Sequence, residues 1–227
     1  MFRKYFLISL FLLHCQQTYA GGVALGATRL VYPRDQGQAT LKIYNSDETS
    51  NYLVQSWISD DQGRKINDFI VTPPLFVIKA NTDNIIKVVY TGNKENLPNN
   101  KEKLYFLNAK VIPSLTEEEQ SISNALLIST TTKIKLFVRP SSISDNPLEA
   151  YKNMECSYSN STVKINNPTP FYLNLVSLKI DGKDVSNSET ISPKSSIFLK
   201  NKLNGKVLTY NFINDYGVQI KDRQCNL

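Results

Sequence analysis

The feature that most constrains the fold is a β-type stretch from Asn124 to Pro140, which reads NALLISTTTKIKLFVRP. Apolar and β-branched residues dominate it, and no glycine or proline interrupts it before Pro140, so we expect one unusually long strand. Lys133 and Lys135 lie inside it, and a charge within a sheet is costly unless it meets water or a partner. Two interpretations follow: an edge strand that lysines protect from foreign pairing, or a strand built to pair with a partner and bind an anion.

Short β-type segments precede this stretch and are separated by turn residues, a spacing that is typical of a β-sandwich. They lie at residues 22–32, 40–44, 52–58, 69–72, 75–79, 84–90 and 104–112. The polar residues 45–51 predict a hairpin between the second and third of these segments.

A linker-like stretch, residues 141–148, separates these segments from a second β-rich block of about 80 residues, which is enough for a small sandwich. Asp181-Gly182 in this block is a candidate hairpin turn. The sequence therefore predicts an all-β chain with a first domain at 21–140 and a second at 141–227.

The first twenty residues have the pattern of a secretory signal peptide. Arg3 and Lys4 precede an apolar run, and Ala20 offers a small residue for cleavage. The run is too short to span a bilayer. We therefore expect residues 1–20 to be removed on export and the remaining chain to be exported without insertion into a membrane.

Removal of the signal peptide changes what chemistry is available. The only histidine, His14, leaves with it, which excludes nucleophile systems and metal sites that depend on histidine. No catalytic residue, metal or cofactor is therefore predicted. The net charge falls from +6 to +4 without Arg3 and Lys4, a mild excess that does not suggest nucleic acid. Cys156 and Cys225 remain, and two cysteines in an exported chain predict one disulfide.

Six segments, in order along nearly the whole predicted mature chain, resemble the PapD-like family of periplasmic chaperones of the chaperone–usher pathway. They are GVALGATRLVYP (22–33), YLVQSW (52–57), FIVTPPLF (69–76), KIKLFVRP (133–140), NPTPFY (167–172) and INDYG (213–217). The resemblance implies two immunoglobulin-like β-sandwich domains in an L, with a cleft between them. The chain is similar to the branch with short loops, which generally serves rod-like fimbriae.

The resemblance also implies the partners. A chaperone of this family binds fimbrial subunits, supplies the strand that each subunit lacks, and delivers the subunit to an outer-membrane usher. The alternative is a secreted pilus subunit or surface binding module with the same domains. The sequence leaves open whether the free chain self-associates through its edge strand.

The family's binding residues fall on five positions. The two cleft cations that hold the subunit's terminal carboxylate fall on Arg29 and Lys135, and the inserted residues of the donated strand fall on Leu126, Ile128 and Thr130. Strict alternation along a strand, however, places Lys135 on the face of the odd-numbered residues. A bulge or strong twist between Ile128 and Lys133 would reconcile the two. The alternative is that Leu126 and Ile128 fill the core of the first domain itself.

A structural charge network of the family falls on Lys87, Glu102 and Asp215, between the two domains. The family usually has arginine at the position of Lys87, so a two-pronged arginine geometry is not expected there. Arg139-Pro140 is the predicted hinge, because proline restricts the residue before it.

Overall fold

The structure, a computed structural model, describes residues 21–114, 127–200 and 205–227. The predicted signal peptide and Leu126 lie outside the described residues. Nine strands make up the first domain: β1 (Val23–Leu25), β2 (Arg29–Pro33), β3 (Gln38–Asn45), β4 (Tyr52–Ser59), β5 (Phe69–Thr72), β6 (Leu75–Ile78), β7 (Asp83–Tyr90), β8 (Lys103–Pro113) and β9 (Thr130–Arg139).

These strands form two sheets, in the orders β1-β3-β7-β5 and β2-β9-β8-β4-β6. Alternate residues of each strand point into one core between the sheets, as the period of two requires. Ile43 and Ile86 enter the core from one sheet and Leu107 and Leu136 from the other, all fully buried. The first domain is therefore a β-sandwich, as the sequence predicts.

Two local predictions for the first domain are wrong. The segment 22–32 is not one strand, because β1 pairs with β3 while β2 pairs with β9 in the other sheet. The predicted hairpin between β3 and β4 does not form, since these strands also belong to different sheets. Buried Asn45 holds the crossing in place: its amide donates to the carbonyls of Ser50 (2.8 Å) and Lys79 (3.0 Å).

Seven strands make up the second domain: β10 (Glu155–Ser159), β11 (Thr162–Asn167), β12 (Leu173–Ile180), β13 (Lys183–Ile191), β14 (Ser195–Lys200), β15 (Val207–Ile213) and β16 (Gln219–Asn226). They form sheets in the orders β10-β11-β14 and β13-β12-β15-β16 around a second core. The hairpin at Asp181-Gly182 is confirmed, with both residues at positive φ between β12 and β13. Two short 3-10 helices, Lys94–Asn96 and Pro147–Asn153, complete the described elements.

The predicted disulfide joins the two sheets of the second domain. Cys156 lies on β10 and Cys225 on β16, each the edge strand of its sheet, with Cα atoms 5.9 Å apart. This separation is in the normal range for a disulfide. The all-β fold with two sandwich domains is thus confirmed, while the limits 21–140 and 141–227 stay predictions.

Candidate functional site

Two cations lie side by side where the domains meet. β2 and β9 pair in parallel, and their register places Arg29 directly opposite Lys135. In β9, Ile134 and Leu136 point into the first core, so Lys135 and Phe137 point out of the other face. That face meets the second domain, where the ring of Phe137 lies 5.7 Å from that of Tyr172.

Both cations donate hydrogen bonds to the second domain. Lys135 Nζ donates to Asn174 Oδ1 and to Thr190 Oγ1, each at 2.5 Å. Arg29 Nη1 donates to the carbonyl oxygen of Ile213 at 3.1 Å. All three acceptors are neutral, so the contacts fix the positions of the cations without neutralising either charge.

Burial and mutual repulsion make the positive charge costly here. Desolvation by burial, with a further contribution from Arg29, lowers the pKa of Lys135 from 10.5 to about 8. Arg29 is only 9% exposed, and desolvation lowers its pKa too, although nearby Asp215 opposes this. An anion bound between the two cations would relieve both effects, so the arrangement is suited to a carboxylate.

The turn between β15 and β16 brings second-domain groups to these cations. Asn214 Oδ1 accepts from the backbone N–H groups of Tyr216 and Val218, which defines the turn. Gly217 has φ of 78°, and a Cβ there would lie 2.5 Å from Thr28 Oγ1. The close approach to Thr28 therefore needs glycine, and it seats the turn beside Arg29.

A charge network beside the site connects the domains through Arg139. Its guanidinium donates to Glu102 Oε1 at 2.6 Å and to the two carboxylate oxygens of Asp215 at 2.8 and 3.0 Å. Glu102 is 3% exposed and also accepts from the Tyr172 backbone N–H at 2.8 Å. Burial raises the pKa of Glu102, while Arg139 and that hydrogen bond oppose the rise.

Lys87 is not part of this network. It is exposed on β7, opposite Thr40 of β3 and Thr72 of β5. The structure thus brings Glu102 and Asp215 together as the sequence predicts, but their cation is Arg139, the residue predicted as the hinge. Being an arginine, it binds Asp215 in the two-pronged geometry that a lysine could not provide.

Half of β9 has an open edge. Residues 135–138 pair with β2 on one side and β8 on the other, but residues 130–134 pair with β8 only. Within the described parts of the chain, no strand pairs with the second edge of residues 130–134. Its N–H and C=O groups are therefore available to another strand.

The residues at this edge are exposed. Ile128 is 64% exposed, and Thr130 and Thr132 are exposed as well. The pairing of β8 with β9 continues from Thr130 to Val138 without a register shift, so no bulge lies between Thr130 and Lys133. Thr130 therefore lies on the side of Ile134 and Leu136, opposite to Lys135. The even-numbered residues of β9 thus share one side of the strand. Ile134 and Leu136 on that side are buried in the first core, whereas Thr130 and Thr132 are exposed.

Asn174 and Thr190 are the contacts that sequence reasoning missed. They lie on adjacent strands and contact a lysine of the other domain. The only trace in the sequence is that Asn174 interrupts the apolar segment from Phe171 to Ile180, at a position flanked by buried Leu173 and Leu175.

The described residues contain no cluster of three or more His, Cys, Asp or Glu side chains that could hold a metal ion. Within residues 21–114, 127–200 and 205–227, no helix is long and apolar enough to cross a membrane.

Comparison with known families accounts for nearly all of the described chain. Residues 22–144 match the family described as the pili and flagellar-assembly chaperone PapD, N-terminal domain. Residues 149–224 match the pili assembly chaperone PapD, C-terminal domain.

Individual relatives agree with the family match. The chain is 37% identical over 210 residues to the probable fimbrial chaperone SfmC of Escherichia coli K12, covering 92% of this chain and 90% of SfmC. It is 37% identical over 198 residues to the chaperone protein FimC of the same strain, covering 86% and 80%.

Solved structures show the same two-domain fold. The Salmonella enterica SafB chaperone, in complex with the SafA pilin, superposes with a TM-score of 0.79 at 28% identity, covering 92% of this chain and 97% of that one. The E. coli chaperone DraB gives a TM-score of 0.77 at 32% identity, covering 91% and 96%.

Proposed function

Because the chain belongs to the PapD family of pilus-assembly chaperones, we propose that it binds fimbrial subunits in the periplasm by donating a strand and passes them to an outer-membrane usher. Residues 1–20 serve as the export signal in this proposal. The relatives SfmC and FimC are named as chaperones, which favours this function over a secreted pilus subunit or surface binding module. No catalytic step or cofactor is part of it.

The open edge of β9 is the observation that carries the proposal. A fimbrial subunit, as the family implies, is an immunoglobulin-like domain without its last strand, and its exposed groove needs a strand from elsewhere. Residues 130–134 offer unpaired backbone groups on one side. Main-chain hydrogen bonds along this edge would supply affinity, and the side chains that enter the groove would supply specificity.

Leu126, Ile128 and Thr130 are the inserted side chains in this proposal. Burying an exposed isoleucine such as Ile128 contributes about 1.5–3 kcal/mol, which is large for one contact. Thr130 ends in a hydroxyl and suits a smaller or more polar pocket than a leucine would. Within β9, Thr130 lies on the same side as the core residues Ile134 and Leu136, so in this proposal the donated strand extends the apolar side of the chaperone's own sandwich into the subunit.

Arg29 and Lys135 bind the subunit's terminal carboxylate in the same proposal. They lie at the end of the open edge, where β2 begins to pair with β9. A subunit strand that ends there must lie along residues 130–134, and it must run in the same direction as β9. The anchored carboxylate thereby sets the register in which the inserted side chains meet their pockets.

The test begins with the complex isolated from the periplasm of cells that make the chain, with mass spectrometry of the bound protein. A peptide covering that subunit's last strand is then made with a free and with an amidated C-terminus. We expect the free acid to bind at least about tenfold more tightly, because about 1.4 kcal/mol corresponds to a factor of ten and truncating a buried charge pair costs on the order of 2–5 kcal/mol.

Two variants make the result specific. Arg29→Ala and Lys135→Ala should each remove the preference for the free acid, whereas Lys42→Ala, at an exposed position of β3 in the other sheet, should retain it. Equal binding of acid and amide by the unaltered chain would refute the carboxylate anchor.

A further inference from the structure

The two cleft cations are matched by a pair of neutral acceptors on the second domain. Asn174 and Thr190 lie directly opposite each other on β12 and β13, as Arg29 and Lys135 do on β2 and β9. One cross-strand pair of the second domain therefore contacts a cross-strand pair of the first, through the ammonium group of Lys135.

The arrangement leaves a defined set of donors for a ligand. A lysine ammonium has three N–H donors, and Asn174 and Thr190 accept two of them. Arg29 has five donors, of which Nη1 reaches Ile213, while buried Nε has no partner in the described chain. Donors from both cations thus remain for a carboxylate.

We propose that Asn174 and Thr190 are positioning residues, which hold the Lys135 ammonium at the carboxylate site through neutral acceptors and so preserve its charge for the ligand. The inference rests on the proposed function and adds two residues of the second domain to the site. It also explains why both residues are neutral, since an acidic side chain at either position would compete with the ligand for Lys135.

The surroundings of Lys135 support this assignment. Its strand neighbours are Arg29 on β2 and Phe106 on β8, and its acceptors are Asn174 on β12 and Thr190 on β13. None of these four residues is acidic. Asp215, the carboxylate whose charge acts on Arg29, is held by Arg139 with two hydrogen bonds. Asn174 is only 5% exposed, and its side-chain oxygen accepts from Lys135 of the first domain.

The sharpest test is Asn174→Asp, which keeps the shape of the side chain and adds a carboxylate beside Lys135. We expect at least about tenfold weaker binding of the free-acid subunit peptide, since an internal ion pair must be broken first. The pKa of Lys135, followed by NMR of its ¹³Cε, should rise in the free protein. Asn187→Asp adds the same charge at an exposed position of β13 and should change neither measurement.

Thr190 provides the second arm. Thr190→Val removes one acceptor and should weaken peptide binding by about tenfold while lowering the pKa of Lys135, because a hydrogen bond to the charged form is lost. Thr190→Ser restores the hydroxyl and should recover both. If Asn174→Asp does not fold, peptide binding and the pKa of Lys135 in Thr190→Val and Thr190→Ser test the positioning role without it.

The outcomes separate this inference from the proposed function. If Lys135→Met binds the peptide as tightly as the unaltered chain, the carboxylate anchor itself is refuted. If Lys135→Met loses binding while Asn174→Asp and Thr190→Val keep it, with the pKa of Lys135 unchanged, only the positioning role is overturned.

Discussion

Lys135 should make the stability of the free protein depend on pH in an unusual direction. Its pKa in the folded protein is lowered to about 8 by burial and by Arg29, so the folded state disfavours the charged form. Below pH 8 Lys135 is protonated in both the folded and the unfolded chain, and the folded protein bears the full free-energy cost of the buried charge. As the pH rises from about 8 toward the unfolded value of about 10.5, the folded protein loses its proton first, and the free energy of unfolding therefore rises.

The magnitude follows from the two pKa values. A lowering of about 2.5 pKa units corresponds to about 3.4 kcal/mol at 1.36 kcal/mol per unit. Lys135 is only half-buried, and solvent screening reduces this figure to about 2 kcal/mol. We expect the free energy of unfolding to rise by about 1 kcal/mol between about pH 7 and about pH 9.5, because Lys135 of the folded protein loses most of its protons in this range.

Urea denaturation of the free protein at these two pH values measures the effect, with Lys135→Met as the control. The control retains every other titrating group, including the tyrosines, so the difference between the two proteins isolates Lys135. The unaltered protein should gain about 1 kcal/mol more than the variant at the higher pH. An identical pH dependence in both proteins would show that the surroundings do not disfavour the charged form of Lys135. The inference that Arg29 and Lys135 form an anion-binding pair would then lose its electrostatic support.

Three further predictions concern other parts of the molecule. Ile128→Asp should abolish subunit binding and leave the free energy of unfolding within about 0.5 kcal/mol in urea; loss of the fold would instead place this residue in the core. Reduction of Cys156–Cys225, which closes a 69-residue separation, should lower stability by about 4 kcal/mol; two alkylatable thiols in the unreduced, denatured protein would contradict it. Arg139→Ala should cost about 3 kcal/mol because it leaves buried Glu102 without its cation. The double variant with Glu102→Gln should recover part of that loss, and an undiminished stability in the single variant would exclude a structural network.

Local patterns were sufficient for the fold class. Alternating β-type segments and turn residues predicted two sandwiches, because a strand that buries one face shows its period directly in the sequence. The disulfide was predictable for a simpler reason, since Cys156 and Cys225 are the only cysteines after residue 20. The long strand was recognisable from composition, although the described strand begins at Thr130.

Which residues meet across the chain was decided by the tertiary structure. Glu102 and Asp215 each need a cation, but local sequence cannot distinguish exposed Lys87 from Arg139, whose position at the end of β9 places it between both acids. The split of residues 22–32 between two sheets is likewise set by long-range pairing, since β1 pairs with β3 and β2 with β9.

The candidate site shows the same division. The sequence, through its family motifs, determined that Arg29 and Lys135 belong together, but only the parallel register of β2 and β9 places them opposite each other. Asn174 and Thr190 carry no motif, because their role arises from a strand pair in one domain facing a strand pair in the other. Amino-acid type determines which strands can form and which groups can be charged, whereas the packing of the two domains determines which of those charges are buried, matched or left for a ligand.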